Sequence, residues 1–105
     1  MSNLPPRDKD GYLKDREDWT PAIAEQLAQT VGITLTDEHW AVITVLRTFY
    51  ERFDTAPAMR PLVKWVKQEI GPDKGNSIYL MGLFPESPAK VGALIAGLPR
   101  PTNCL

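Results

Sequence analysis

A single cysteine, a single histidine and a knot of aspartates are the residues of this chain whose types suggest chemistry. Cys104 is the only thiol and lies next to the C-terminal Leu105. A free cysteine is ordinarily a small buried hydrophobe. Here it follows Pro99 and Pro101, which make a segment stiff and extended at about 3.1 Å per residue. From Gly97 such a segment spans roughly 20 Å to Cys104, enough to carry a thiol into another protein's active site. Arg100 would favour the thiolate, and the α-carboxylate of Leu105 would oppose it. From composition alone, an incidental tail cysteine is an equally good reading.

The other candidates read as structural. His39 stands in the first turn of a helix beside Trp40, with no nucleophile or orienting acid at a telling spacing. Placing Gly11 at the sixth position of a calcium loop puts Asp8, Asp10 and Glu17 at positions three, five and twelve, with Leu13 in the apolar slot. Position one is then Pro6, which has no side-chain oxygen, so a solvated turn is the better reading. With one histidine and one cysteine a zinc site is not expected. Trp19, Trp40 and Trp65 read as core anchors.

The elements that position these residues follow from caps and periodicity. Thr20-Pro21 and Ser87-Pro88 place a capping side chain before a proline, the arrangement that opens a helix. A first helix is expected over 21–31, with Ile23, Leu27 and Val31 on one face and Gly32 as its stop. The second follows Thr36 and reaches about Phe53. Its apolar arc (Trp40, Ile43, Leu46, Tyr50, Phe53, widened by Val42, Val45 and Phe49) is broad enough for contact on two sides. The third carries Leu62, Val63, Val66 and Ile70, with Lys64 and Lys67 outward; Pro61 predicts a broken or late start after Pro57. A fourth is expected over 76–83 and a fifth over 88–96, stopping at Gly97. Asp10-Gly11 before Tyr12-Leu13 predicts a turn and a short β element. The fold class is therefore α+β, mostly α: one domain over 1–105, with about five helices, a short N-terminal β element and residues 98–105 as a mobile arm.

Of the 105 residues 43% are hydrophobic, and the net charge is −1, which fits one compact soluble domain. No apolar run approaches the roughly 18 residues that a membrane span needs, and the polar, Pro-rich start is unlike a secretory signal. One cysteine fits a reducing compartment, so a cytoplasmic location is expected. Residues 1–54 hold six basic and ten acidic side chains, whereas 55–105 hold six and three. A +3 half is modest for nucleic acid but suits an acidic protein surface. The 76–83 and 88–96 pair invites a helix-turn-helix reading, yet its second helix offers only Lys90 as a basic side chain. Direct nucleic-acid binding is not expected.

Gly97-Leu98-Pro99-Arg100-Pro101 with Cys104 resembles the C-terminus of the DsrC/TusE family of sulfur carriers. The likeness runs back through Lys74-Gly75-Asn76-Ser77, Tyr79-Leu80, Leu83-Phe84-Pro85 and Pro88-Ala89-Lys90. It continues in Pro57-Ala58, Arg60 and Leu62-Val63-Lys64, in Arg47 with Phe49-Tyr50, in Leu35-Thr36 with His39-Trp40, and in Trp19 and Gly11-Tyr12-Leu13. The resemblance implies helices packed with a reduced N-terminal β meander and a mobile C-terminal arm. It implies a persulfide on Cys104, arm and docking roles for Pro99, Arg100 and Pro101, and no cofactor. TusE-type members take sulfur from a TusBCD-like complex and pass it to the thiouridylase MnmA for tRNA 2-thiouridine. DsrC-type members act with sulfite reductase and use a second cysteine eleven residues before the last; here that position is Ala93. The resemblance thus points to a single-cysteine relay toward tRNA thiolation. The alternatives are a single-cysteine DsrC-like protein of sulfur oxidation or sulfite reduction, and a helix-turn-helix DNA-binding regulator.

Overall fold

Side-chain caps open four of the five helices. In a computed structural model, which describes residues 4–101, the Thr20 hydroxyl accepts from the Ile23 amide and α1 (Pro21–Thr30) follows. The Asn76 and Ser87 side chains do the same for α4 (Ser77–Leu83) and α5 (Pro88–Ile95). Each cap satisfies an amide that the first turn leaves without an intrahelical acceptor. α3 (Met59–Glu69) has no side-chain cap. It starts late, two residues past Pro57, and is unbroken. Pro61 is its third residue, where the missing N–H had no intrahelical partner to lose.

At α2 (Asp37–Phe53) the cap is reciprocal and settles the role of His39. The Thr36 amide donates to His39 Nδ1 (3.1 Å), and Nε2 faces the Leu83 carbonyl oxygen at 2.8 Å. An amide can only donate and a carbonyl can only accept, so the ring is the neutral tautomer with its proton on Nε2. The imidazole is buried and meets Phe84 edge-on at 5.2 Å. It joins the start of α2 to the end of α4, as the structural reading expects. His39→Ala removes both of these part-buried hydrogen bonds and leaves a void. The expected loss is about 2–3 kcal/mol, read as a shift in urea midpoint at unchanged slope.

The N-terminal expectation needs correction. Among the described residues there is no strand, and a single antiparallel bridge joins Arg7 to Leu13. The turn itself forms: Asp8 Oδ1 accepts from the Asp10 and Tyr12 amides, and the Asp8 amide donates to the Tyr12 carbonyl. The ladder stops there because Pro5 and Pro6 have no N–H to extend it. On the other side Asp15 caps a short 3-10 turn, Arg16–Asp18. Asp8 spends its carboxylate on this turn, which is the solvated-turn reading of the aspartates.

α5 is the centre of the molecule and packs against all four other helices. Pro88, Ala89, Gly92, Ala93, Leu94 and Ile95 are all buried along it, which is how a helix apolar all round must sit. Around it lie Leu27 of α1, Ile43 and Leu46 of α2, Leu62 and Val66 of α3, and Leu80 of α4, each at most 1% exposed. The broad arc of α2 divides between α3 and α5, as its width requires. No helix of the described residues is long and apolar enough to cross a membrane.

Candidate functional site

The end of α5 sets the origin of the C-terminal segment. Gly97 takes φ +74°, a left-handed turn that costs glycine little. The Leu98 amide then returns to the Ala93 carbonyl (3.0 Å) and the Gly97 amide to that of Leu94 (3.3 Å). This pair of bonds is the Schellman closure of a helix, and its usual apolar contact is supplied by Leu98, which is 2% exposed.

Two side chains from distant elements claim the remaining carbonyls. Trp19 Nε1 donates to the Ile95 oxygen (2.8 Å), and Arg47 Nη1 donates to the Ala96 oxygen (2.7 Å). The Arg47 guanidinium lies over the Trp19 ring, 3.8 Å from its centroid. A cation here meets the negative end of the α5 dipole and a ring face that attracts it. Burial pulls the Arg47 pKa down, while nearby Glu51 pushes it back up. Trp19 also occupies the space beside Gly97, where a β-carbon would stand 2.3 Å from its ring. Trp19, Arg47 and Gly97 together form a cradle for the root of the segment.

Beyond the cradle the chain stays on the body. Pro99 and Arg100 are exposed, but Arg100 pairs with Asp10 at 3.4 Å and Pro101 is buried. The stiff stretch therefore does not stand off the protein from Gly97, as the two prolines suggest; Leu98 and Pro101 anchor it through apolar burial. The expected arm, 98–105, is described only as far as Pro101. Cys104 lies outside the described residues. Leu98 also lines a cleft of about 390 Å³ with Arg16, Glu17, Arg47, Tyr50, Glu51 and Asp54, and Arg16 packs over Tyr50 there.

Sequence reading singled out Pro99, Arg100 and Pro101 as arm residues but gave Trp19 only a core role and Arg47 none. Arg47 carried a readable signal: it is a lone cation in the stripe formed by Ile43, Leu46 and Tyr50, and such a cation needs a buried acceptor. Ala93, the position where a second cysteine would fall, is 0% exposed in the middle of α5. Among the described residues no group of three or more His, Cys, Asp or Glu side chains could hold a metal ion.

The family model described as DsrC like protein matches residues 3–105. The chain belongs to the DsrC-like family. Within that family it is 52% identical over 98 residues to the sulfurtransferase TusE of Yersinia pseudotuberculosis, covering 93% of this chain and 91% of the relative. The sulfurtransferase TusE homolog of Haemophilus influenzae is 51% identical, with 93% and 90% covered. Solved DsrC-like structures share the fold. The NMR structure of Allochromatium vinosum DsrC matches with a TM-score of 0.85 at 47% identity, over 93% of this chain and 88% of that one. The oxidized γ-subunit of the dissimilatory sulfite reductase (DsrC) from Archaeoglobus fulgidus matches with a TM-score of 0.84 at 43% identity, over 96% and 92%.

Proposed function

We propose that this chain is a persulfide carrier that accepts sulfane sulfur on Cys104 and relays it in the synthesis of tRNA 2-thiouridine. Sulfur transfer is the activity of the TusE-type relatives at about half identity, and it is the activity of this chain. The observation that carries the single-cysteine relay is at Ala93. A carrier with a thiol there could expel bound sulfur by closing an internal disulfide. In this chain the position is a buried alanine and Cys104 is the only thiol. Sulfur on Cys104 must then leave by attack from another protein.

The chemistry needs few parts. The Cys104 thiolate attacks the outer sulfur of a donor persulfide, forming a new S–S bond as the donor's own S–S bond breaks and its thiolate leaves. A thiolate of the acceptor next attacks the terminal sulfur on Cys104 and regenerates the Cys104 thiolate. Sulfane sulfur moves without net oxidation, and no cofactor takes part. The donor in this reading is a TusBCD-like complex and the acceptor an MnmA-like thiouridylase, in the cytoplasm. Partnership with sulfite reductase is the weaker reading, since it relies on the thiol that Ala93 replaces. DNA binding is weaker still: α5, the helix that would enter a groove, buries six of its eight residues.

The test is 2-thiouridine content in a host deleted for its own TusE-like carrier. The wild-type chain is expected to restore the modification. No restoration, despite soluble expression and a compatible donor and thiouridylase, would remove the tRNA assignment and leave a persulfide relay to another acceptor.

A further inference from the structure

The chain carries 12 basic and 13 acidic side chains, yet among the described residues the one ion pair joins Arg100 to Asp10. It ties the C-terminal segment to the N-terminal turn, 90 residues away. The transfer chemistry above makes no use of it.

An exposed pair is ordinarily worth little, because two mobile side chains must be ordered to make one weak contact. Here much of that ordering is already in place. Asp10 rides on a closed turn: Asp8 Oδ1 accepts from the Asp10 and Tyr12 amides, and the Gly11 amide donates to the Asp8 carbonyl. The turn is fastened to α5. Tyr12 is buried, and its hydroxyl donates to the Lys90 carbonyl oxygen at 3.1 Å. Gly11 lies against Leu94, where a β-carbon would stand 3.3 Å from that side chain. On the other side of the pair, Arg100 stands between Pro99 and Pro101. Their rings fix φ at both neighbours, and a following proline holds Arg100 itself extended. The pair closes one residue before Pro101, which is buried. Ionic and apolar contact therefore act at the same point of the segment.

We propose that Asp10 is a positioning residue for Cys104: the N-terminal turn holds the segment at Arg100 and gives the thiol a second fixed point beyond the cradle. The inference rests on the relay reading above. Its consequence is a matter of reach. Six residues lead from Leu98 to Cys104, a span of up to about 20 Å, whereas three lead there from Pro101, a span of up to about 10 Å. Halving the radius shrinks the volume open to the thiol about eightfold. The effective concentration of the thiol at a partner's active site within that radius rises by the same factor. A shorter free tether also loses less freedom when the sulfur is drawn into line for S–S exchange. In this role Asp10 acts through Arg100 and not on the reacting sulfur.

The native thiol supplies the probe. Cys104 is the only cysteine, so a nitroxide attached to it broadens the amide NMR signals of the residues near which it dwells. In the full wild-type chain at low salt the broadening is expected to centre on residues 8–13. In Asp10→Lys and in Arg100→Glu it should weaken there and spread. Exchanging the charges, Asp10→Arg with Arg100→Asp, should restore it. Both side chains are exposed, so the fold is retained. Transfer to the MnmA-like thiouridylase is then measured from chains loaded beforehand with inorganic polysulfide, normalised to the sulfur each carries. The single variants are expected to transfer about two- to fivefold more slowly, the range over which an exposed pair shifts an equilibrium, and the exchanged pair at close to the wild-type rate. Broadening unchanged in both single variants overturns the proposal at its root. Broadening that spreads but is not restored by the exchange overturns the pairing, because each charge then acts alone. Transfer that stays unchanged or quickens once the broadening has spread overturns the positioning role. A wild type that passes sulfur to no partner protein overturns the relay reading and the positioning role with it, while the broadening still decides whether the pair holds the segment.

Discussion

Serine at position 104 is expected to leave the chain wholly unable to accept sulfane sulfur, at an unchanged thermal midpoint. A hydroxyl cannot form the S–S bond, and at neutral pH it offers almost no anion to attack with, whereas the thiolate is the nucleophile of thiol chemistry. Cys104 is the only cysteine, so no other side chain can take over. Intact mass spectrometry after incubation with a persulfide donor should show one added sulfur on the wild type and none on Cys104→Ser. The stability half of the prediction follows from the core, which closes around α5 and has Leu98 as its last large hydrophobic member among the described residues. A midpoint shift comparable to a core truncation, about 2–5 kcal/mol, would show instead that the thiol is part of the packing. Nearby charge has a small role in either case. Arg100, the cation that would favour the thiolate, is already paired with Asp10, and exposed pairs and fields of this kind are worth little in water.

The helices were legible because their signals are local. Thr20, Thr36, Asn76 and Ser87 each stand one residue before a helix, and their side chains bond to amides three residues on. Gly97 ends α5 where an apolar run meets a residue free to turn left-handed. Both the signal and its partner lie within a few positions, so spacing suffices. The N-terminal β element failed for an equally local reason given too little weight: Asp10-Gly11 does make its turn, but Pro5-Pro6 removes the donors a second strand would need. The arm is a different case. Over its described part, 98–101, two prolines carry no information about where Leu98 and Pro101 find apolar cover. The cradle was hidden for the same reason. Trp19 and Arg47 reach carbonyls 76 and 49 residues away, and a backbone carbonyl leaves no mark in the sequence. Half of the candidate site, the segment that carries the thiol, could be read from residue types. The other half, the cradle at its root, depends on tertiary contacts.

That device yields the second large effect, at Gly97. Gly97→Ala places a β-carbon 2.3 Å from the Trp19 ring, on a residue whose φ of +74° already disfavours any side chain. The left-handed conformation alone costs about 1–2 kcal/mol. Relieving the clash moves Trp19, which weakens its bond to Ile95 and its stack with Arg47, so the full loss should reach about 2–4 kcal/mol. The functional loss should separate by reagent. Inorganic polysulfide is small and reaches the thiol from any direction, so its loading of Cys104 should be unaffected at temperatures where the variant is folded. Protein-to-protein transfer needs the segment aimed, and its rate should fall by about tenfold for each 1.4 kcal/mol that misplacement adds to the transfer barrier. A double-mutant cycle identifies the cause. In a Trp19→Ala background the ring is absent and only the β-carbon of residue 19 stays close, at 2.8 Å, so Gly97→Ala should cost less than it does in the wild type, and the double variant should lose less than the sum of the two single losses. Strict additivity would mean that Trp19 and Gly97 act independently and that the cradle does not aim the segment. Equal loss of polysulfide loading and protein transfer would point the same way, to a thiol whose exposure alone had changed.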